Sequence, residues 1–182
     1  MEYILITPAP IEPLTLDEVK QKLRLTGNND FDTELTRLIA TAREVCENIT
    51  GRDLITKTYK LYIDCFSSEI EIRKSKLQSI VAVRYYYNEV INTLANTEYY
   101  YTKSNDYSKI IFKNSINHDE IKQAIEIEFT AGYGITASTI PSGLKEAMLN
   151  YIDLLFNNCS NDGAEADLFS QYMIAKKLFF TI

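Results

Sequence analysis

Between Asp32 and Thr50 the apolar residues Leu35, Leu38, Ile39, Ala42, Val45, Cys46 and Ile49 recur every three or four positions, which sets them along one face of a helix. Acidic Asp30, Asp32 and Glu34 suit the positive end of that helix, and Gly51 suits a left-handed cap at its close. A shorter helix is predicted upstream, from about Thr15 to Arg24. There Thr15 and Glu18 have the spacing of a capping box, and Leu14 and Val19 that of a hydrophobic staple.

After Gly51 the period changes from helical to alternating. Tyr59, Leu61, Ile63 and Cys65 fall on one side of a strand, with Lys60, Tyr62 and Asp64 on the other. Ile70 and Ile72 alternate with Glu69, Glu71 and Arg73. Val81, Val83, Tyr85 and Tyr87 share one side of a third strand, further strands fall near residues 98–102 and 109–113, and Ile125, Ile127 and Phe129 alternate with Glu126, Glu128 and Thr130. The short polar turns between them predict an antiparallel meander.

Gly132-Tyr133-Gly134 ends the strand series, and Pro141 suits the first turn of a third helix whose stripe is Leu144, Ala147, Met148, Tyr151, Ile152 and Leu155. The expected class is α+β: a small bundle of three to four helices with an antiparallel sheet inserted between helices two and three. One domain is expected, with helical parts at about residues 14–52 and 140–182 and the insert at about 55–131. Its helical core is read as Leu35, Leu38, Ile39, Ala42, Val45, Cys46, Leu144, Met148, Tyr151, Ile152 and Leu155.

A polar break at residues 157–163 precedes a last amphipathic segment. Leu168, Phe169, Tyr172, Phe179, Phe180 and Ile182 gather apolar area there, for docking on another molecule or as a fourth core helix.

The chain has 182 residues, 46% apolar, and a formal charge of -6, which places it among soluble globular proteins and argues against strong nonspecific grip on DNA. Its three cysteines show no CxxC pairing, so no metal site or disulfide framework is expected, and Cys46 reads as core. The only histidine, His118, lies in a polar run and reads as an exposed loop residue. No catalytic motif or phosphate loop occurs, so neither enzymatic activity nor a cofactor is expected. The N-terminal stretch lacks a basic start and a long apolar core, and no apolar run reaches the ~18 residues of a membrane span, so a cytoplasmic protein is expected. Tyr85 to Tyr87 and Tyr99 to Tyr101, with Arg84 and Lys103, fit either a half-exposed sheet face or a surface that stacks nucleobases.

The blocks LTLDEVKQKLRL (14–25), AREVCENITGRDLITKTY (42–59), KLQSIVAVRYYY (76–87), AIEIEFTAGYG (124–134) and IPSGLKEAMLNYIDLLF (140–156) occur in this order. The arrangement resembles the head-to-tail connector (adaptor, head-completion) family of long-tailed bacteriophages and prophages. The tyrosine-rich middle and the apolar C-terminus depart from that pattern. The resemblance implies a structural virion protein at the head–tail junction, assembled in the host cytoplasm. It implies a ring of about twelve copies below the portal protein. Such a ring extends the DNA channel, lets double-stranded DNA pass without specific binding, and receives the next connector (stopper) or the tail. The alternative reading is a nucleic-acid-binding accessory protein that uses the tyrosine-rich sheet.

Overall fold

The computed structural model describes residues 1–74, 76–104 and 107–157. The chain divides into two compact units: a β unit of Met1–Ala9 with Thr56–Tyr133, and a helical unit of Pro10–Ile55 with the segment from Gly134 onward.

The helical unit contains α1 (Leu16–Lys22), α2 (Asp32–Thr50) and α3 (Ser142–Asn157). The capping box of α1 forms as the sequence predicts. Thr15 Oγ1 accepts from the Glu18 amide at 3.2 Å, while the Thr15 amide donates to Glu18 Oε2 at 2.7 Å. Leu14 and Val19 beside it are buried. α2 ends at Gly51, whose φ of 64° is the left-handed conformation that a side chain would oppose. Pro141 sits just before α3, and its carbonyl accepts from the amides of Leu144 and Lys145.

Leu35, Leu38, Ile39, Ala42 and Cys46 of α2 are buried, as are Leu144, Ala147, Met148 and Ile152 of α3; Val45, Tyr151 and Leu155 are half-buried. Each fully buried Leu or Ile contributes roughly 1.5–3 kcal/mol. At the borders of this core, Lys145 pairs with Glu18 at 2.6 Å, Lys22 with Glu146 at 2.9 Å, and the rings of Phe31 and Phe156 meet edge to face at 5.3 Å. α3 is thereby fastened to α1 and to the start of α2.

The β unit is two antiparallel sheets over one core. The larger has the order β1 (Glu2–Thr7), β2 (Lys57–Ile63), β8 (Ile125–Ala131), β4 (Leu77–Tyr87), β5 (Val90–Leu94). The smaller has the order β3 (Glu69–Ile72), β7 (Ser108–Phe112), β6 (Tyr99–Thr102). The antiparallel α+β class agrees with the sequence reading, but the strands are not a meander. β8 lies between β2 and β4, and β3 leaves for the second sheet. Alternation tells which face a residue takes and is silent on which strand lies beside it.

Four local corrections have physical causes. β4 carries a bulge between Ile80 and Ala82, so Val81 turns outward and is 52% exposed, while Val83 beyond it is fully buried. β2 stops at Ile63, so Cys65 is exposed and does not continue the inner face. β1 precedes α1, and in it the consecutive Ile4, Leu5 and Ile6 hide the period of a strand. β5 was likewise not expected; it completes a hairpin with β4 through Asn88 (φ 52°) and Glu89 (φ 62°), both left-handed. The carboxylate of Asp119 receives both turn amides, at 2.9 and 2.8 Å, and so holds a non-glycine turn in place.

Candidate functional site

Among the described residues no group of three or more His, Cys, Asp or Glu side chains could hold a metal ion. His118 is half-buried and is not the free loop residue expected from its polar neighbours. Its Nε2 accepts from the Phe66 amide at 3.2 Å and its Nδ1 lies 2.8 Å from the Asp119 carbonyl oxygen, so the ring ties two loops together. Cys46 is buried in α2. Burial first, and then the Glu47 carboxylate, push its thiol up to about 12, where thiolate is absent at neutral pH.

The paired glycines of AGYG also have a steric role. Gly132 adopts φ 137°, and a Cβ on Gly134 would lie 2.5 Å from Thr139 Oγ1, the hydroxyl that donates to the Thr136 carbonyl. They shape a turn and make no phosphate cradle.

The outer face of the five-stranded sheet is a lattice of charges. Register places Glu2, Tyr62, Glu126 and Arg84 in one row across β1, β2, β8 and β4, with Lys60 and Glu128 in the next. Arg84 Nη1 donates to Glu126 at 2.5 Å and to Glu128 at 2.7 Å, and Lys60 pairs with Glu126 at 3.1 Å. Burial works to raise the pKa of Glu126, but hydrogen bonds from Arg84 and Lys60 outweigh it and hold the group below the ordinary carboxylate range. The hydrogen bonds that Arg84 donates to Glu128 and Glu126 hold its pKa above the ordinary value. The cation that could have met a phosphate already has two carboxylates.

A pH dependence follows from that cluster. Since the folded state lowers the pKa of Glu126, its stabilisation is complete above the ordinary carboxylate range and is lost as pH falls through the lowered value. Glu126→Gln should therefore flatten the loss of thermal stability from about pH 5 downward. An acid limb that overlays that of the wild type would place the pH sensitivity elsewhere.

The two tyrosine runs do not form one platform. Tyr85 to Tyr87 lie on β4 of the larger sheet and Tyr99 to Tyr101 on β6 of the smaller. Tyr99 is buried against Phe112, and Lys103 lies over the ring of Tyr101. Only Tyr86, Tyr87 and Tyr100 of these are well exposed.

The larger uncovered apolar features are ones the sequence reading missed. Both edge strands of the five-stranded sheet expose aliphatic side chains: Ile4, Leu5 and Ile6 on β1, and Val90 and Ile91 on β5. Leu168, Phe169, Tyr172, Phe179, Phe180 and Ile182, the expected interface, lie outside the described residues. Among the described residues no helix is long and apolar enough to cross a membrane.

The family model of the head completion protein matches residues 12–163. The chain belongs to the head completion protein family. This agrees with the resemblance to head-to-tail connectors read from the five sequence blocks. No curated protein matches the sequence. Among solved structures, the fold is similar to a chain in the neck of an empty gene transfer agent particle computed with C6 symmetry. That match has a TM-score of 0.79 and 21% identity, and covers 97% of this chain and 95% of the other. A chain from the virion of a native gene transfer agent particle matches at a TM-score of 0.75 and 20% identity, with 97% and 94% covered. A chain in the neck of a native particle computed with C12 symmetry matches at 0.74 and 17%, again with 97% and 94% covered. At such identities the likeness establishes a shared fold.

Proposed function

We propose that this head completion protein is a head-to-tail connector without catalytic activity. Copies of it form a ring below the portal, extend the DNA channel and offer a platform to the next connector or the tail. The observation that carries this reading is the family match over residues 12–163, to which the near full-length fold likeness to chains of gene transfer agent necks adds support. The virion's head–tail junction is then its destination and the host cytoplasm its place of assembly.

The charge pattern fits this role. Net charge of -6 and an outer sheet face whose Arg84 is bound by Glu126 and Glu128 repel phosphate, so DNA can slide past without adhering. The same pairing weighs against the nucleic-acid-binding alternative. We assign Leu168, Phe169, Tyr172, Phe179, Phe180 and Ile182 to contact with the portal or a neighbouring subunit.

Electron microscopy of the purified protein with and without portal tests the reading. A ring seated on the portal is expected, and a chain lacking residues 164–182 should melt as before yet leave the portal bare. A portal that stays bare with the full chain, together with micromolar duplex binding that weakens steeply with salt, would replace the connector by the accessory protein.

A further inference from the structure

We infer that neighbouring copies join their five-stranded sheets edge to edge, β1 of one copy pairing with β5 of the next, so that a continuous β belt runs round the ring. This rests on the ring proposed above and adds the surface through which the copies meet.

Exposed sheet edges are ordinarily guarded by lysine, proline, inward charge or short length, because an open row of amides and carbonyls recruits another strand. The smaller sheet obeys this rule at β3, a four-residue edge that carries Glu69 and Glu71, and at β6, which is also four residues long. The larger sheet is guarded less: β1 carries a single bulge, at Ile6 between Leu5 and Thr7, and β5 is five residues long. β1 and β5 contain no Lys, Arg or Pro, and the one charge, Glu2, receives a hydrogen bond from Gln123 at 2.9 Å. Among the described residues each of these strands pairs on one side only.

Their side chains point to the same conclusion. Ile4, Leu5 and Ile6 are 40%, 48% and 45% exposed, although successive residues of a strand face opposite sides of the sheet. At Ile4 and Leu5, beyond the Tyr3 that packs on the core, β1 thus exposes apolar side chains on both faces, and Val90 and Ile91 give β5 the same character at 59% and 50%. A single docking helix covers one face, whereas a further strand with its own alternating side chains supplies neighbours on both.

Direction identifies the occupant. With every neighbouring pair antiparallel across five strands, β1 and β5 run the same way at opposite edges. Rotation about an axis along the strands brings β5 of one copy beside β1 of the next in parallel, and the operation can repeat until a ring closes. Self-pairing of β1 would be antiparallel and would stop at two copies.

The test uses full-length Ile4→Lys and Ile91→Lys, each placing a charge at an exposed position, with melting followed as a control. Both variants should melt like the wild type and lose ring formation on the portal by about tenfold or more. Mixed together, they should form a pair and no larger species, because the first retains β5 and the second retains β1. If Ile91→Lys alone forms dimers while Ile4→Lys does not, β1 pairs with itself and the proposal is overturned. If both variants still form rings, the copies meet elsewhere, and the connector reading survives while the belt does not. A wild-type chain that forms no ring on the portal would instead remove the connector reading itself.

Discussion

Placing Asp at Ile152 should lower the stability of the helical unit by about 4 kcal/mol or more. Ile152 is fully buried on α3, within a stripe that includes Leu144 and Met148. The ion pairs close to this core, Lys145 with Glu18 and Lys22 with Glu146, sit near the start of α3 and already satisfy their cations. A carboxylate at position 152 would therefore be buried among apolar groups without a counter-ion, or be held neutral at a comparable free-energy cost. For a chain of this length such a loss corresponds to a melting shift of about 10 °C. Asn150→Asp on the exposed side of the same helix is the control, since it adds the same charge in water. Should the two variants melt alike, position 152 would have to be open to solvent, and the packing described for α3 would be wrong.

The sequence was most legible where structure is set by local chemistry. Thr15 and Glu18 form the expected box, and Gly51 takes the expected left-handed cap, because both depend on residues three or four positions apart. The alternation of Tyr59, Leu61 and Ile63 similarly gave the correct inner face of β2. Strand order was not legible, since Ile127 and Phe129 would alternate in the same way at an edge or at the centre. The sign of β8's central place was Glu126, a carboxylate only 8% exposed on the outer face of the sheet. Two cations from the flanking strands, Lys60 and Arg84, are needed to hold it there, and no local rule joins residues so far apart in the chain. Val81 failed for another reason, because a one-residue bulge resets the period and leaves the residue types unchanged. His118 reads as exposed from its polar neighbours, but the contact that holds it, from the Phe66 amide, comes from a loop distant in sequence. On the candidate interface, chain composition pointed to the C-terminal apolar residues. The β1 edge was hidden because three consecutive aliphatic residues carry no strand period, and their exposure only becomes visible once β2 is known to cover one side alone.

The β unit should be as sensitive to one aromatic ring as the helical unit is to Ile152. Phe129 is fully buried on the central strand β8, stacked on Tyr59 at 5.7 Å and met edge-on by Tyr3 at 6.2 Å. Tyr3 is itself tethered, its hydroxyl accepting from the Arg73 amide at 2.9 Å, so it cannot readily swing into a space left beneath it. Phe129→Ala therefore combines lost apolar burial with an unfilled cavity and two lost ring contacts, for an expected destabilisation of about 3–5 kcal/mol. Phe129→Leu retains most of the volume and should recover a large part of that loss. Denaturant midpoints of the two variants measure the difference. Tyr3 belongs to β1, so loss of the ring should also raise amide exchange in residues 2–7 ahead of the rest of the sheet. An unfolding free energy of Phe129→Ala within about 1 kcal/mol of wild type would mean that the space closes over, and that Tyr3 does not anchor the edge strand to the core.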